Sequence, residues 1–128
     1  MRYLLDTHVL FWWLVDKDKL TEVASGAIEA INAEVHVSVA TAWEIAIKVG
    51  SGKWPEAAFL ADRFEQEMKS EQFRLLPITV PHVCVAGLLT SPHRDPFDRL
   101  LAAQATIEGL TLVTADLKLA GLGAPVLW

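Results

Sequence analysis

Cysteine is nearly absent from this chain. Cys84 is the only one, which excludes an intrachain disulfide framework, a Cys-x-x-Cys redox pair and a cysteine-rich zinc site. A reducing, cytoplasmic setting is the expectation. A surplus of basic charge is missing too: 11 Lys and Arg stand against 16 Asp and Glu, for a formal net charge of −5. Any nucleic-acid contact must therefore rest on a local basic patch. No apolar run reaches the roughly 18 residues that span a bilayer. The apolar stretch from Leu4 to Val15 is interrupted by Asp6 and His8, and no small-residue cleavage site precedes Asp16 and Lys17. That reads against a secretory signal and against a membrane partner. Neither Gly-x-Gly-x-x-Gly nor a P-loop occurs, so the common nucleotide cradles are excluded. Repeats, low-complexity stretches and linkers are lacking as well.

What remains is 128 residues, 52% of them hydrophobic, with a mean hydropathy of +0.31. That composition excludes a disordered protein and predicts one domain, residues 1–128, with a well-filled core. The pattern alternates short apolar strands with longer helices. Arg2 to Leu5 reads as a buried strand, with Asp6 at the joint to a helix running through Val15. Thr21 to Asn32 carries Val23, Ala27, Ile28 and Ile31 at helical spacing. Glu34 to Val39 alternates as a strand, ATAWEIAIKV continues as a helix ended near Gly50, and Pro55 opens a helix through about Lys69. Phe73 to Ile78 is a strand and Pro81 to Leu89 a helix. The segment DPFDRLLAAQA opens another, with Asp95 as N-cap, Pro96 at the first position and Asp98 at the third. Leu110 to Val113 and Val126 to Trp128 complete the strands, with a short helix after Asp116. This is an α/β pattern with a mostly parallel central sheet flanked by helices.

Four acids sit in apolar surroundings. Asp6 lies in RYLLDTHVLFWWL, Glu44 in VHVSVATAWEIAI, Asp98 on a helix face with Leu101, Ala102 and Ala105, and Asp116 just after LTLV. Each has a structural explanation: Asp6 and Asp116 as N-caps, Asp98 as a capping-box acid, Glu44 as an i,i+4 partner of Lys48. Glu44 fits least well, because it is mid-helix between apolar neighbours. In a parallel sheet the strand ends open onto one crevice, where Asp6 and Asp116 would meet. Two carboxylates about 4 Å apart repel by roughly 4 kcal/mol at an effective dielectric near 20, so a cluster needs protons or a divalent cation. Oxygen-only ligands select Mg²⁺ or Mn²⁺ over zinc. The matching chemistry is metal-assisted phosphodiester hydrolysis.

The motifs LLDTHVLFWWL, VATAWEIAIKVGSGK, HRDPFDRLLAAQA and LVTAD, in this order across nearly the whole chain, resemble a PIN domain of the VapC-type toxins of toxin–antitoxin pairs. The resemblance implies a Mg²⁺- or Mn²⁺-dependent endoribonuclease, a homodimer silenced by a cognate antitoxin. By position it makes Asp6, Asp98 and Asp116 metal ligands and gives Glu44 a second ion or a water-mediated role. It makes Thr7 and Thr114 candidates for orienting carboxylates or water. Asp95 reads as a rim acid, first of all a cap. Lys48, Arg94 and Arg99 are candidates for phosphate contacts, beside Lys53 and Lys118. A lone histidine is more often a structural residue than a base, so His8 and His93 receive no role. Trp43 reads as core, Trp12 and Trp54 as contact residues for a base or partner. The rival reading is a catalytically inactive PIN scaffold that binds an antitoxin or RNA, which the intact acidic quartet opposes. A phosphatase or receiver ranks last, since no Asp-x-Asp follows the first strand.

Overall fold

The computed structural model describes residues 1–128 and contains one five-stranded sheet. Its strands are β1 (Arg2–Leu5), β2 (Glu34–Ser38), β3 (Arg74–Leu76), β4 (Thr111–Val113) and β5 (Val126–Leu127). All four pairings are parallel, in the order β3-β2-β1-β4-β5. Parallel strands need crossovers, supplied by α1 (Thr7–Val15), α2 (Glu22–Glu29), α3 (Val39–Gly50), α4 (Ala58–Asp62), α5 (Phe64–Ser70), α6 (Val80–Leu88) and α7 (Pro96–Glu108).

β1 shows why the strands read as uninterrupted apolar runs. Its side chains alternate between two buried faces. Tyr3 and Leu5 join Val9, Leu10, Ile45, Leu60 and Met68 in one cluster, while Leu4 joins Leu101, Ala105, Leu112 and Leu119 in the other. Full burial of a leucine contributes about 1.5–3 kcal/mol, so these strand centres anchor both layers. No helix is long and apolar enough to cross a membrane.

The chain departs from the sequence reading in three places. The helix expected from Pro55 to Lys69 is a 3₁₀ turn followed by α4 and α5, broken at Arg63 (φ −130°, ψ 36°). Leu60, Phe64 and Met68 are buried on both sides of the break, so apolar spacing could not reveal it. α2 stops at Glu29 and buries Ala24 and Ile28, leaving Val23 exposed and Ile31 on a turn at 99% exposure. β2 ends at Ser38, whose hydroxyl caps α3 by accepting from the Ala40 amide at 3.0 Å. Val39 thus begins a helix, and Trp43, read as core, is 58% exposed and meets Phe97 edge-on.

The topology decides where a site belongs. The chain leaves β1 toward β2 on one side and returns to β4 on the other, so crossovers diverge at the carboxyl ends of β1 and β4. Such a switch point leaves a crevice outside the strand ends.

Candidate active site

Asp6 is the first residue beyond β1. Its amide still donates to the Val113 carbonyl at 3.0 Å, prolonging the β1–β4 pairing by one step. Its carboxylate caps α1, Oδ1 accepting from the Thr7 amide at 2.7 Å, while Oδ2 accepts from the Thr114 hydroxyl at 2.7 Å. Asp116 lies two residues further along, its amide donating to Thr114 Oγ1 at 3.0 Å and its carboxylate accepting from the Lys118 amide at 3.0 Å. The cap readings of both acids are correct, and they coexist with a place at the switch point.

Glu44 and Asp98 arrive from two helices. Glu44 is buried on α3, where Oε1 accepts from the Thr7 hydroxyl at 2.6 Å and Oε2 from Lys48 Nζ at 2.8 Å. Thr7 Oγ1 also lies 3.2 Å from Thr41 Oγ1, so a buried hydroxyl pair backs the glutamate. Asp98 sits in the first turn of α7. That helix is started by Asp95, whose Oδ1 accepts from the amides of Phe97 (2.9 Å) and Asp98 (3.2 Å). Asp98 closes no capping box. Its Oδ2 lies 2.8 Å from His93 Nε2 instead.

Asp6, Glu44, Asp98, Asp116 and Asp95 line one cavity of about 490 Å³ together with Lys48, His8, Trp12 and Ala115. Burial pushes the Asp6 carboxyl above the usual carboxylate range, with Glu44 repulsion adding to it, against the hydrogen bonds from Thr114 and Thr7. Burial likewise raises Asp98, to about 6, aided by Asp95 and Asp6 and opposed by the His93 bond. Paired acids driven toward protonation mark a place where positive charge is wanted. The donor set is all oxygen and suits a hard divalent ion. No three of these side chains stand together as a ready-made metal cage.

The basic residues divide. Lys48 borders the acids, and Arg94 is exposed on a neighbouring apolar cavity with Trp43, Ile47, Val83 and Phe97. Arg99 corrects the sequence reading: its guanidinium lies within 2.6 to 3.4 Å of the carbonyls of Leu89, Ala86, His93, Gly87 and Ser91. All its donors are used on backbone, so none is free for phosphate. Trp12 and Trp54 are half-buried against the core, with His8 stacked on Trp54 at 4.9 Å and tilted toward Trp12 at 5.8 Å. His93 is the residue near the site that sequence reasoning passed over. Only its position five residues before Asp98, in HRDPFD, pointed to it.

The family described as PIN domain matches residues 3–124. Ribonuclease VapC22 of Mycobacterium tuberculosis is 31% identical over 127 residues, covering 91% of this chain and 88% of that protein. Among solved structures, VapBC-1 of nontypeable Haemophilus influenzae superimposes with a TM-score of 0.68 at 16% identity, over 99% of this chain and 97% of that one. VapBC2 of Rickettsia felis, bound to a DNA fragment from its promoter, gives 0.67 at 18% identity, over 99% and 98%.

Proposed function

This chain belongs to the PIN-domain family, and from that premise we propose that it is a divalent-metal-dependent endoribonuclease, the toxin of a VapBC-type pair. The observation that carries the reading is the gathering of Asp6, Glu44, Asp98 and Asp116, from four separate segments, around one cavity at the β1–β4 switch point. Asp6, Asp98 and Asp116 are the residues we assign to Mg²⁺ or Mn²⁺, with Glu44 acting directly or through water. When bound, such an ion lowers the pKa of an attacking water and offsets the charge that builds on the phosphodiester.

The chain's own residues do the rest. Thr114 and the Thr7 amide orient Asp6, and the Thr7 hydroxyl orients Glu44. Lys48, tied to Glu44 but still half-exposed, is positioned to meet a phosphate oxygen at the cavity edge. Arg94 supplies a more distant basic contact. His8 and Trp12 offer aromatic faces to an unpaired base, which favours single-stranded or loop RNA over a duplex, where bases stay stacked.

The VapBC relatives are toxin–antitoxin complexes, and an antitoxin is the partner we assign here. Its silencing segment lies across the acidic cavity and presents a basic side chain to it, since four carboxylates are a natural arginine site. A homodimer is the working assembly and the cytoplasm its place.

The test is cleavage of an end-labelled single-stranded RNA by antitoxin-free protein with Mn²⁺ or Mg²⁺, beside EDTA and Asp98→Asn controls. Cleavage lost in both controls is the expected result. Folded wild-type protein that leaves this RNA and total cellular RNA intact would return the chain to the role of a binding scaffold.

A further inference from the structure

Asp98 is held by a residue outside the acidic quartet, and that residue is held by Arg99. His93 lies in the irregular segment between α6 and α7, its side chain 16% exposed, with Nε2 2.8 Å from Asp98 Oδ2. An ionised carboxylate only accepts, so the hydrogen resides on Nε2. Oδ1 of Asp98 has no hydrogen-bond partner within the chain and is the oxygen left for a ligand in the cavity.

A histidine in a loop fixes nothing unless the loop itself is fixed. Arg99 supplies this from the residue next to Asp98. Nε donates to Ala86 O at 3.0 Å, Nη1 to His93 O at 3.0 Å and Ser91 O at 3.4 Å, Nη2 to Leu89 O at 2.6 Å and Gly87 O at 3.4 Å. One guanidinium thereby caps carbonyls at the end of α6 and straps the segment through His93 onto the first turn of α7. The Ser91 hydroxyl adds a bond from the His93 amide at 3.2 Å. Carbonyl capping alone would account for Arg99. It does not account for an imidazole aimed at a carboxylate of the acid cavity.

We propose that His93 is a positioning residue for Asp98, held in register by the Arg99 strap, and that this bond sets the affinity of the acidic site for a divalent cation. The inference rests on the metal-dependent reading above. Its physical content is that hydrogen-bonding one carboxylate oxygen removes rotamer freedom from a ligand before an ion arrives. Losing an outer-shell partner of this kind typically lowers metal affinity by about 10- to 100-fold.

The experiment is calorimetric titration of the full-length protein with Mn²⁺ alone, without RNA, for wild type, His93→Leu and His93→Gln, with metal-free melting temperatures measured in parallel. His93→Leu is expected to bind Mn²⁺ at least about tenfold more weakly while still melting cooperatively without metal. His93→Gln, whose side-chain amide can donate to the same oxygen, is expected to recover most of the loss. Arg99→Lys, which replaces a five-donor fork with a point charge, should weaken Mn²⁺ in the same direction as His93→Leu. Equal Mn²⁺ affinity in wild type and His93→Leu overturns the proposal even if cleavage falls, because His93 then acts on RNA or on the loop alone. Failure of His93→Gln to recover affinity overturns it too. Wild-type protein that neither binds Mn²⁺ nor cleaves RNA removes the ribonuclease reading first, and the inference with it.

Discussion

Asp98 is in tension with its own surroundings. It titrates at about 6 in the folded chain against 3.8 for a free side chain, chiefly because it is buried. A carboxyl whose pKa rises on folding holds its proton more tightly in the native state. The stability it contributes is complete below pH 3.8 and is lost as pH rises through about 6. Metal-free Asp98→Asn should therefore melt above wild type at pH 7, and the gap should close below about pH 4. After discounting for partial exposure, the gain is about 1–2 kcal/mol, or a few degrees in a thermal melt. The readout is the difference between the two proteins across pH. His36 works in the opposite sense, since burial lowers its pKa and its stability contribution falls away as pH drops below 6.5, but it is common to both and cancels. A lower metal-free melting temperature for Asp98→Asn would show that the His93–Asp98 bond outweighs the burial cost. Added Mn²⁺ should reverse the order by stabilising wild type alone.

α7 is the element on which the site depends most, because it carries Asp98 at one end and ties down two neighbours along its length. Asp95 and Pro96 begin it, and Gly109 ends it in the left-handed region at φ 68°. A Cβ at Gly109 would meet only Arg2 Nη1 at 3.8 Å, an ordinary contact, so the cost of Gly109→Ala is backbone strain of about 1 kcal/mol. Thermal melting should register a drop of a few degrees, with the cleavage rate per folded molecule unchanged, since Asp98 lies three turns away. Midway along α7, Gln104 is fully buried and accepts from the Ser38 hydroxyl at 2.6 Å while donating to the Pro77 carbonyl at 3.2 Å. Ser38 also caps α3, so one hydroxyl joins the helix bearing Asp98 to the helix bearing Glu44. The start of α7 was legible in DPFDRLLAAQA, because an N-cap is local chemistry. The Ser38–Gln104 bond, between residues 66 apart in sequence, was not.

On the scale of the whole molecule, the acid cavity and the apolar cavity lie on either side of the α3–α7 contact. The apolar one, about 540 Å³, is bordered by Trp43, Ile47, Val83, Phe97 and Leu100, with Trp43, Ile47 and Val83 at 58%, 45% and 47% exposure. The homodimer proposed above is tested on this strip, where exposed apolar side chains gather. Val83→Asp places a charge on that strip at a half-exposed position. Light scattering should give the monomer mass for this variant and the dimer mass for wild type, with the metal-free melting temperature of the isolated fold little altered. A dimer that survives Val83→Asp would put the contact elsewhere. Trp43 shows what periodicity cannot tell: an apolar residue on the surface and one facing a core look alike along the sequence.

The sequence by itself determined the approximate strand positions, the capped helix starts at Asp6, Thr21 and Asp95, and the identity of the acids, because these depend on local chemistry: side-chain period, capping residues and charge embedded in apolar runs. Only the tertiary structure decided what each residue faces. It brought Asp6, Glu44, Asp98 and Asp116 to one cavity, which follows from a strand order that reverses at β1 and β4. It turned Arg99 from the substrate to the backbone and Trp43 from the core to the surface. It also gave His93 a partner. Hydrogen bonds and burial are set by neighbours in space, and when those neighbours are distant in sequence no window along the chain contains them.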